Sequence, residues 1–210
     1  MFSLSSLPTD VIRYIITFIP IQSMRWSRAL SLQSIKDNGG LESVILDYIP
    51  PSRDVLNSII GSRTRFLNFN FNVEKLGFLQ SLNTSELKIL KIRDCTNWGK
   101  NLEARLKEHP FEPLQMMQLS NLKELTLDYI ETPFKIPENV KLETLNLNHF
   151  YGESLDFLRD IFRDLKHLTL DYFPYLLSLE PLSEMRPESL EIRNFPKVSQ
   201  RVLEKLFESK

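Results

Sequence analysis

Apolar residues recur along most of the chain in one nine-residue phrase: an apolar residue, two others, an apolar one, one other, an apolar one, two others, and a last apolar residue. Leu165–Phe173, Leu122–Ile130, Leu142–Phe150 and Leu87–Cys95 carry it in full. With the fourth position as anchor, the series runs Val44, Leu67, Leu90, Leu125, Leu145, Leu168, Leu190, at steps of 23, 23, 35, 20, 23 and 22 residues. The second copy ends on Asn72, and the second and seventh open on Thr64 and Pro187. Alternation at the fourth and sixth positions predicts a short strand with two side chains on one face, and the ninth position turns inward after it. Each unit then has an apolar side that only a neighbouring unit can bury.

Between the strands, Arg53–Ile60, Val73–Leu82 and Glu153–Arg163 have the three- and four-residue apolar spacing of helices. Pro133 and Pro137 forbid a regular helix between Ile130 and Leu142 and predict an extended return. The long step from Leu90 to Leu125 holds an insertion with Trp98, a predicted helix over Leu102–Glu108 and the loop His109–Pro113. Two readings stand for it: a longer outer helix with its own apolar cluster, or a protruding partner contact. Val198–Phe207 reads as an amphipathic capping helix, with Val198, Val202, Leu203, Leu206 and Phe207 on one side. At the other end, Val11, Ile12, Ile15, Ile16 and Ile19 follow Thr9 and Asp10 at helical spacing, and Pro20 stops them. Asp37-Asn38-Gly39-Gly40 is the clearest turn signal and sets a boundary near residue 38.

The repeated phrase, over roughly Leu41 to Phe195, resembles the leucine-rich repeat. That resemblance implies an α/β fold, a solenoid of about seven short parallel strands with helical or irregular returns on its convex side. The chain then divides into a helical head, residues 1–38, and a solenoid, residues 39–210, closed by the capping helix.

The head resembles the F-box, the helical motif that docks a protein onto the Skp-family adaptor of cullin-based ubiquitin ligases. Leu7-Pro8, Asp10, the apolar set Val11, Ile12, Ile15, Ile16, Phe18 and Ile19, then Pro20, Ser23-Met24 and Leu30 carry the resemblance. It implies that Leu7, Pro8, Val11, Ile12, Ile15, Ile19, Pro20 and Met24 contact the adaptor. Family members usually follow the second helix with a basic residue and a tryptophan. Here Leu30 is followed by Ser31-Leu32-Gln33-Ser34, and Trp26 lies earlier. The other reading makes residues 7–34 a helical cap over the first repeat, which a solenoid needs in some form.

Composition narrows the function classes. The net charge of the 210 residues is -1, with Lys and Arg scattered, so no global field gathers nucleic acid or an anionic membrane. Cys95 is the one cysteine, at a core position of its copy, which fits a reducing cytoplasmic or nuclear compartment. No run of about 18 apolar residues predicts a membrane span, and the N-terminus lacks a signal-peptide pattern. His109, His149 and His167 have no metal-ligand spacing, and no phosphate-binding glycine loop or nucleophile elbow is present. The expectation is a non-enzymatic protein with no cofactor and no metal.

Recognition then falls to the outward strand positions. The fifth-position row is Ile45, Asn68, Lys91, Thr126, Asn146, Thr169, Glu191, and the seventh-position row is Asp47, Asn70, Arg93, Asp128, Asn148, Asp171, Arg193. Tyr48, Phe71, Tyr129, His149 and Tyr172 share the eighth position and line one rim with aromatic surface. The candidate target-binding set is Lys91, Arg93, Thr126, Asp128, Tyr129, Asn146, Asn148, His149, Thr169, Asp171 and Tyr172. Aromatic residues are the type most favoured at binding hot spots, although they also serve simply to cover a sheet edge. Two functions follow from the resemblances. One is the substrate-recognition subunit of an SCF ubiquitin ligase, bound to a Skp-family adaptor and through it a cullin, and holding an unidentified target protein. The other is a stand-alone leucine-rich-repeat scaffold unconnected with ubiquitin.

Overall fold

The repeated phrase becomes a strand in every copy. A computed structural model of the chain describes residues 28–47, 53–70, 82–93, 117–130, 136–137, 139–161, 164–199, 201–202 and 204. The strands are β1 (Ser43–Asp47), β2 (Phe66–Asn70), β3 (Ile89–Arg93), β4 (Glu124–Asp128), β5 (Thr144–Asn148), β6 (His167–Asp171) and β7 (Ser189–Arg193). They form one open sheet in chain order, with every neighbouring pair parallel. Anchor faces anchor throughout, so Val44, Leu67, Leu90, Leu125, Leu145, Leu168 and Leu190 make one continuous row. The chain is therefore an α/β protein of solenoid-like form.

The register continues just ahead of each strand. The carbonyl of the second position accepts two N–H groups from the next copy: Glu42 from Arg65 and Phe66, Arg65 from Lys88 and Ile89, Lys88 from Lys123 and Glu124. Lys123 and Glu143 repeat the pattern. A slip of one residue would turn the anchors into solvent and break this double acceptance together.

One face of the sheet carries the core. Leu67, Leu90, Leu125, Leu145, Leu147 and Leu170 are fully buried, and the inward ninth residues Ile130, Phe150 and Phe173 join them. Each such side chain contributes about 1.5–3 kcal/mol through burial. Thr64, the polar opening of the second copy, is buried without loss: its hydroxyl donates to the Leu41 carbonyl at 2.7 Å and accepts the Gly61 N–H at 3.0 Å. On the last strand Leu190 and Ile192 are only half-buried.

The returns differ from copy to copy. Arg53–Ile59 forms a helix (α2) that buries Leu56 and Ile59, as its spacing predicts. The return expected to be helical over Glu153–Arg163 is a 3-10 turn, Asp156–Asp160. Its two fully buried side chains, Leu155 and Leu158, are three residues apart, and the i+3 hydrogen bond from Leu158 to Leu155 at 2.9 Å serves that spacing directly. A four-residue helix (α3, Glu180–Ser183) precedes β7. The described part of the proline-containing return, Ile136, Pro137 and residues 139–140, is non-helical. Near the C-terminus Arg201, Val202 and Glu204 are helical, but Val202, expected on the packed side, is 41% exposed.

Ahead of the sheet, Arg28–Asp37 forms a helix (α1) that packs on α2, with Leu32 and Ile35 against the core. Gly39 and Gly40 end it with φ of 81° and 88°. A Cβ on Gly40 would lie 2.7 Å from the Gly61 nitrogen, so both conformation and space require glycine there. Leu7, Pro8, Val11, Ile12, Ile15, Ile19, Pro20 and Met24, expected from the F-box resemblance to contact an adaptor, lie outside the described residues. So do Tyr48, Phe71, Cys95, Trp98, the segment His109–Pro113, Pro133 and the return over residues 73–81.

Candidate functional site

Parallel sheets ordinarily have both faces covered. Here the strands alternate between buried and half-buried positions, as in β2, β4 and β5, so among the described residues the second face is the less covered one. That face and its C-terminal rim bring the sequence-derived candidates together over β3 to β6.

On the face itself, Lys91 pairs with Glu124 at 3.6 Å and lies 5.8 Å from the centre of the Phe66 ring. Thr126 and Asn146 are adjacent in register, and the Asn146 amide donates to the Thr126 hydroxyl at 3.2 Å. Thr169 lies opposite Asn146 on the next strand. This floor is polar, uncharged and rich in side chains able to bond a peptide main chain. Toward β1 the face becomes apolar, with Ile45 46% exposed beside the half-buried Phe66.

The rim is more ordered than its sequence announces. Tyr129, His149 and Tyr172 adopt φ of 62°, 53° and 60°, and Asn194 at the same position of the last copy has 58°. Asparagine is at home there; tyrosine is not, at a cost of about 1–2 kcal/mol per residue. What the conformation achieves is a column. Tyr129 and His149 stack with centroids 4.3 Å apart and planes within 3°, and His149 meets Tyr172 at 5.1 Å. Tyr151 and Tyr175 extend the column at 6.4 and 6.3 Å, and Lys197 lies 4.9 Å from the Tyr175 centroid. Ring pairs contribute about 0.5–1.5 kcal/mol each, which roughly offsets the strain.

Electrostatics fix the column's first half. Asp128 accepts from His149 Nδ1 at 2.9 Å through one oxygen and pairs with Arg93 Nε at 3.4 Å through the other. Arg93 also covers Tyr129, its guanidinium 5.2 Å from the ring centre. Because a carboxylate only accepts, Nδ1 of His149 carries a hydrogen, and in the neutral ring Nε2 is the acceptor. Asp171 accepts from the Asn194 amide at 2.7 Å. Asn148 lies between Asp128 and Asp171 in the seventh-position row.

Sequence pattern alone does not show Tyr151, Tyr175 and Lys197 as members of the column, because they fall outside the nine-residue phase. Asn194 was legible in principle, since it shares the eighth position. No protein-family model, curated protein or solved structure matches the chain. No described helix is long and apolar enough to cross a membrane.

The opposite rim carries charged second positions in every copy: Glu42, Arg65, Lys88, Lys123, Glu143, Lys166 and Glu188. Glu143 lies between Lys123 and Lys166, each at 2.8 Å. Hydrogen bonds from Lys123 and then Lys166, reinforced by their charges, hold its carboxyl down at about 2. A depressed carboxylate stabilises the fold above its unfolded pKa, and that contribution is lost as pH falls from the ordinary glutamate range through about 2. Carbon-detected NMR titration of Glu143 is expected to return a midpoint near 2 in the native chain, moving toward the ordinary value in a Lys123→Ala, Lys166→Ala variant. Glu143 is about a third exposed, so added salt shrinks the shift.

Proposed function

We propose that the chain is a non-enzymatic substrate receptor of an SCF-type ubiquitin ligase: an F-box head binds a Skp-family adaptor, and a leucine-rich-repeat sheet holds the target. The observation that carries this reading is the order of two parts, the Leu7-Pro8 helical signature in the sequence followed by seven strands stacked in register. Catalysis belongs to other subunits of such an assembly. The receptor acts by proximity, raising the effective concentration of a target lysine at the charged conjugating enzyme without new chemistry. Work of this kind takes place in the cytoplasm or nucleus.

The test is retention on an immobilised Skp-family adaptor. The native full chain is expected to be held in stoichiometric amount, and a Leu7→Ala, Pro8→Ala variant with an unchanged circular dichroism spectrum is expected to pass through. Absence of retention for the native chain would refute the receptor reading.

One observation favours the second reading, a stand-alone repeat scaffold. Helix α1 packs on α2 and the core at the first repeat, as a capping element does. On that reading the same double variant lowers the unfolding midpoint, and the adaptor is never bound.

A further inference from the structure

Asp128 and Asp171 hold the seventh position of their copies, and Tyr129 and Tyr172 the eighth. At the first pair an internal cation completes the arrangement, since Arg93 pairs with Asp128 at 3.4 Å while covering Tyr129 at 5.2 Å. The second pair has the acid and the ring but, among the described residues, no cation. Among the described residues, the Asp171 carboxylate accepts from the neutral Asn194 amide alone, while its main-chain carbonyl accepts the His149 N–H. Arg193, opposite Asp171 in register, is hydrogen-bonded to Glu191 instead. Tyr172 is 41% exposed, and the stack of eighth-position rings ends there because the next eighth residue is Asn194.

We propose that Asp171 and Tyr172 form a receptor for an arginine side chain on an extended partner segment, completing at β6 what Arg93 completes between β3 and β4. A carboxylate beside an exposed aromatic ring offers a guanidinium both an ion pair and a cation–π contact. Glu191 keeps the site open by holding Arg193. Thr169, two residues before Asp171 on β6, and Asn148, opposite Asp171 on β5, lie where they can bond the segment's main chain. This deepens the target-binding half of the function proposed above and is independent of the adaptor half. A chain that captured no adaptor would still bind the probe.

The experiment titrates the isotope-labelled full chain with acetyl-Gly-Arg-Gly-amide, followed by NMR. Neutral acetyl-Gly-citrulline-Gly-amide and acidic acetyl-Gly-Glu-Gly-amide are the comparison peptides. The Asp171 carboxyl, Tyr172 ring and Asn194 amide signals are expected to shift and saturate with the arginine peptide, with the citrulline peptide about tenfold weaker. Asp171→Asn and Tyr172→Leu each weaken binding about fivefold or more, whereas Tyr172→Phe, which keeps the ring, retains it. Glu191→Gln releases Arg193 as an internal competitor and also weakens it. Unchanged signals elsewhere in the sheet show that each variant is folded. No shift at a peptide concentration of about 50 mM would overturn the proposal. An equal response to citrulline, or a preference for the glutamate peptide, would overturn it as well.

Discussion

Replacing Leu145 by alanine is expected to destabilise the folded chain by about 2–5 kcal/mol. Leu145 has no exposed surface, lies on β5 and faces the anchors Leu125 and Leu168 on either side. Truncation removes its transfer free energy and leaves a cavity that two parallel neighbours, held in register by main-chain hydrogen bonds, cannot close. Urea unfolding followed by circular dichroism measures the effect as a lower midpoint. The adjacent Asn146 supplies the contrast. It faces the half-buried side, and among the described residues its side chain donates one hydrogen bond, to Thr126. Asn146→Ala is expected to change stability by no more than about 0.5 kcal/mol. Equal losses at the two positions would mean that the face assignment is wrong.

The second large effect concerns the head. If Leu7 and Pro8 insert into an adaptor as the F-box resemblance implies, they act as buried anchors of a mainly apolar interface. Truncating two such anchors costs on the order of 2 kcal/mol each, so adaptor affinity is expected to fall roughly 700-fold. The unfolding midpoint of the sheet is expected to stay where it was, because the described core, Leu41 to Val198, is built from the strands and their returns. Calorimetric titration with the purified adaptor and urea unfolding of the same preparations separate the two quantities. Loss of stability without any adaptor affinity in the native chain is the outcome that the capping role predicts.

The strands and their pairing were readable in the sequence because a period of two within each phrase and a period near 23 between phrases leave one consistent stacking. All seven anchors, Val44 to Leu190, fall in one row for that reason. The same phase placed Asp128, Asn148 and Asp171 in a second row and Tyr129, His149 and Tyr172 at the rim. Less regular features followed local geometry. The return around Leu155 and Leu158 has helical spacing over too few residues to tell a 3-10 turn from an α-helix. Positive φ at Tyr129 and Tyr172 runs against ordinary residue preference, which reserves that region for glycine and asparagine. Asn194, His149 and Asp94, of residue types more at home at positive φ, hint at it from the same position. The choice of Asp128 as the shared partner of Arg93 and His149 depends on side-chain reach across strands, which a linear pattern does not encode.

The less covered face also explains why the polar rows matter more than their composition. Among the described residues the outward rows are half-buried side by side and form a continuous surface, about 4.8 Å per copy. Across β3 to β6 that surface passes from the Lys91–Glu124 pair to the neutral floor of Thr126 and Asn146 and on to Thr169. The aromatic column borders it at the strand ends. Such a surface suits an extended segment laid across the strands, with side chains sorted between floor and rim.

The most direct measurement of the central claim is light scattering on a sizing column, with the full chain mixed with an equimolar amount of purified Skp-family adaptor. The receptor account predicts a single peak whose mass is that of a one-to-one complex, at concentrations down to the micromolar range. Two peaks at the separate masses, from a chain shown by circular dichroism to be folded, would contradict it and leave the repeat sheet as a scaffold for another purpose.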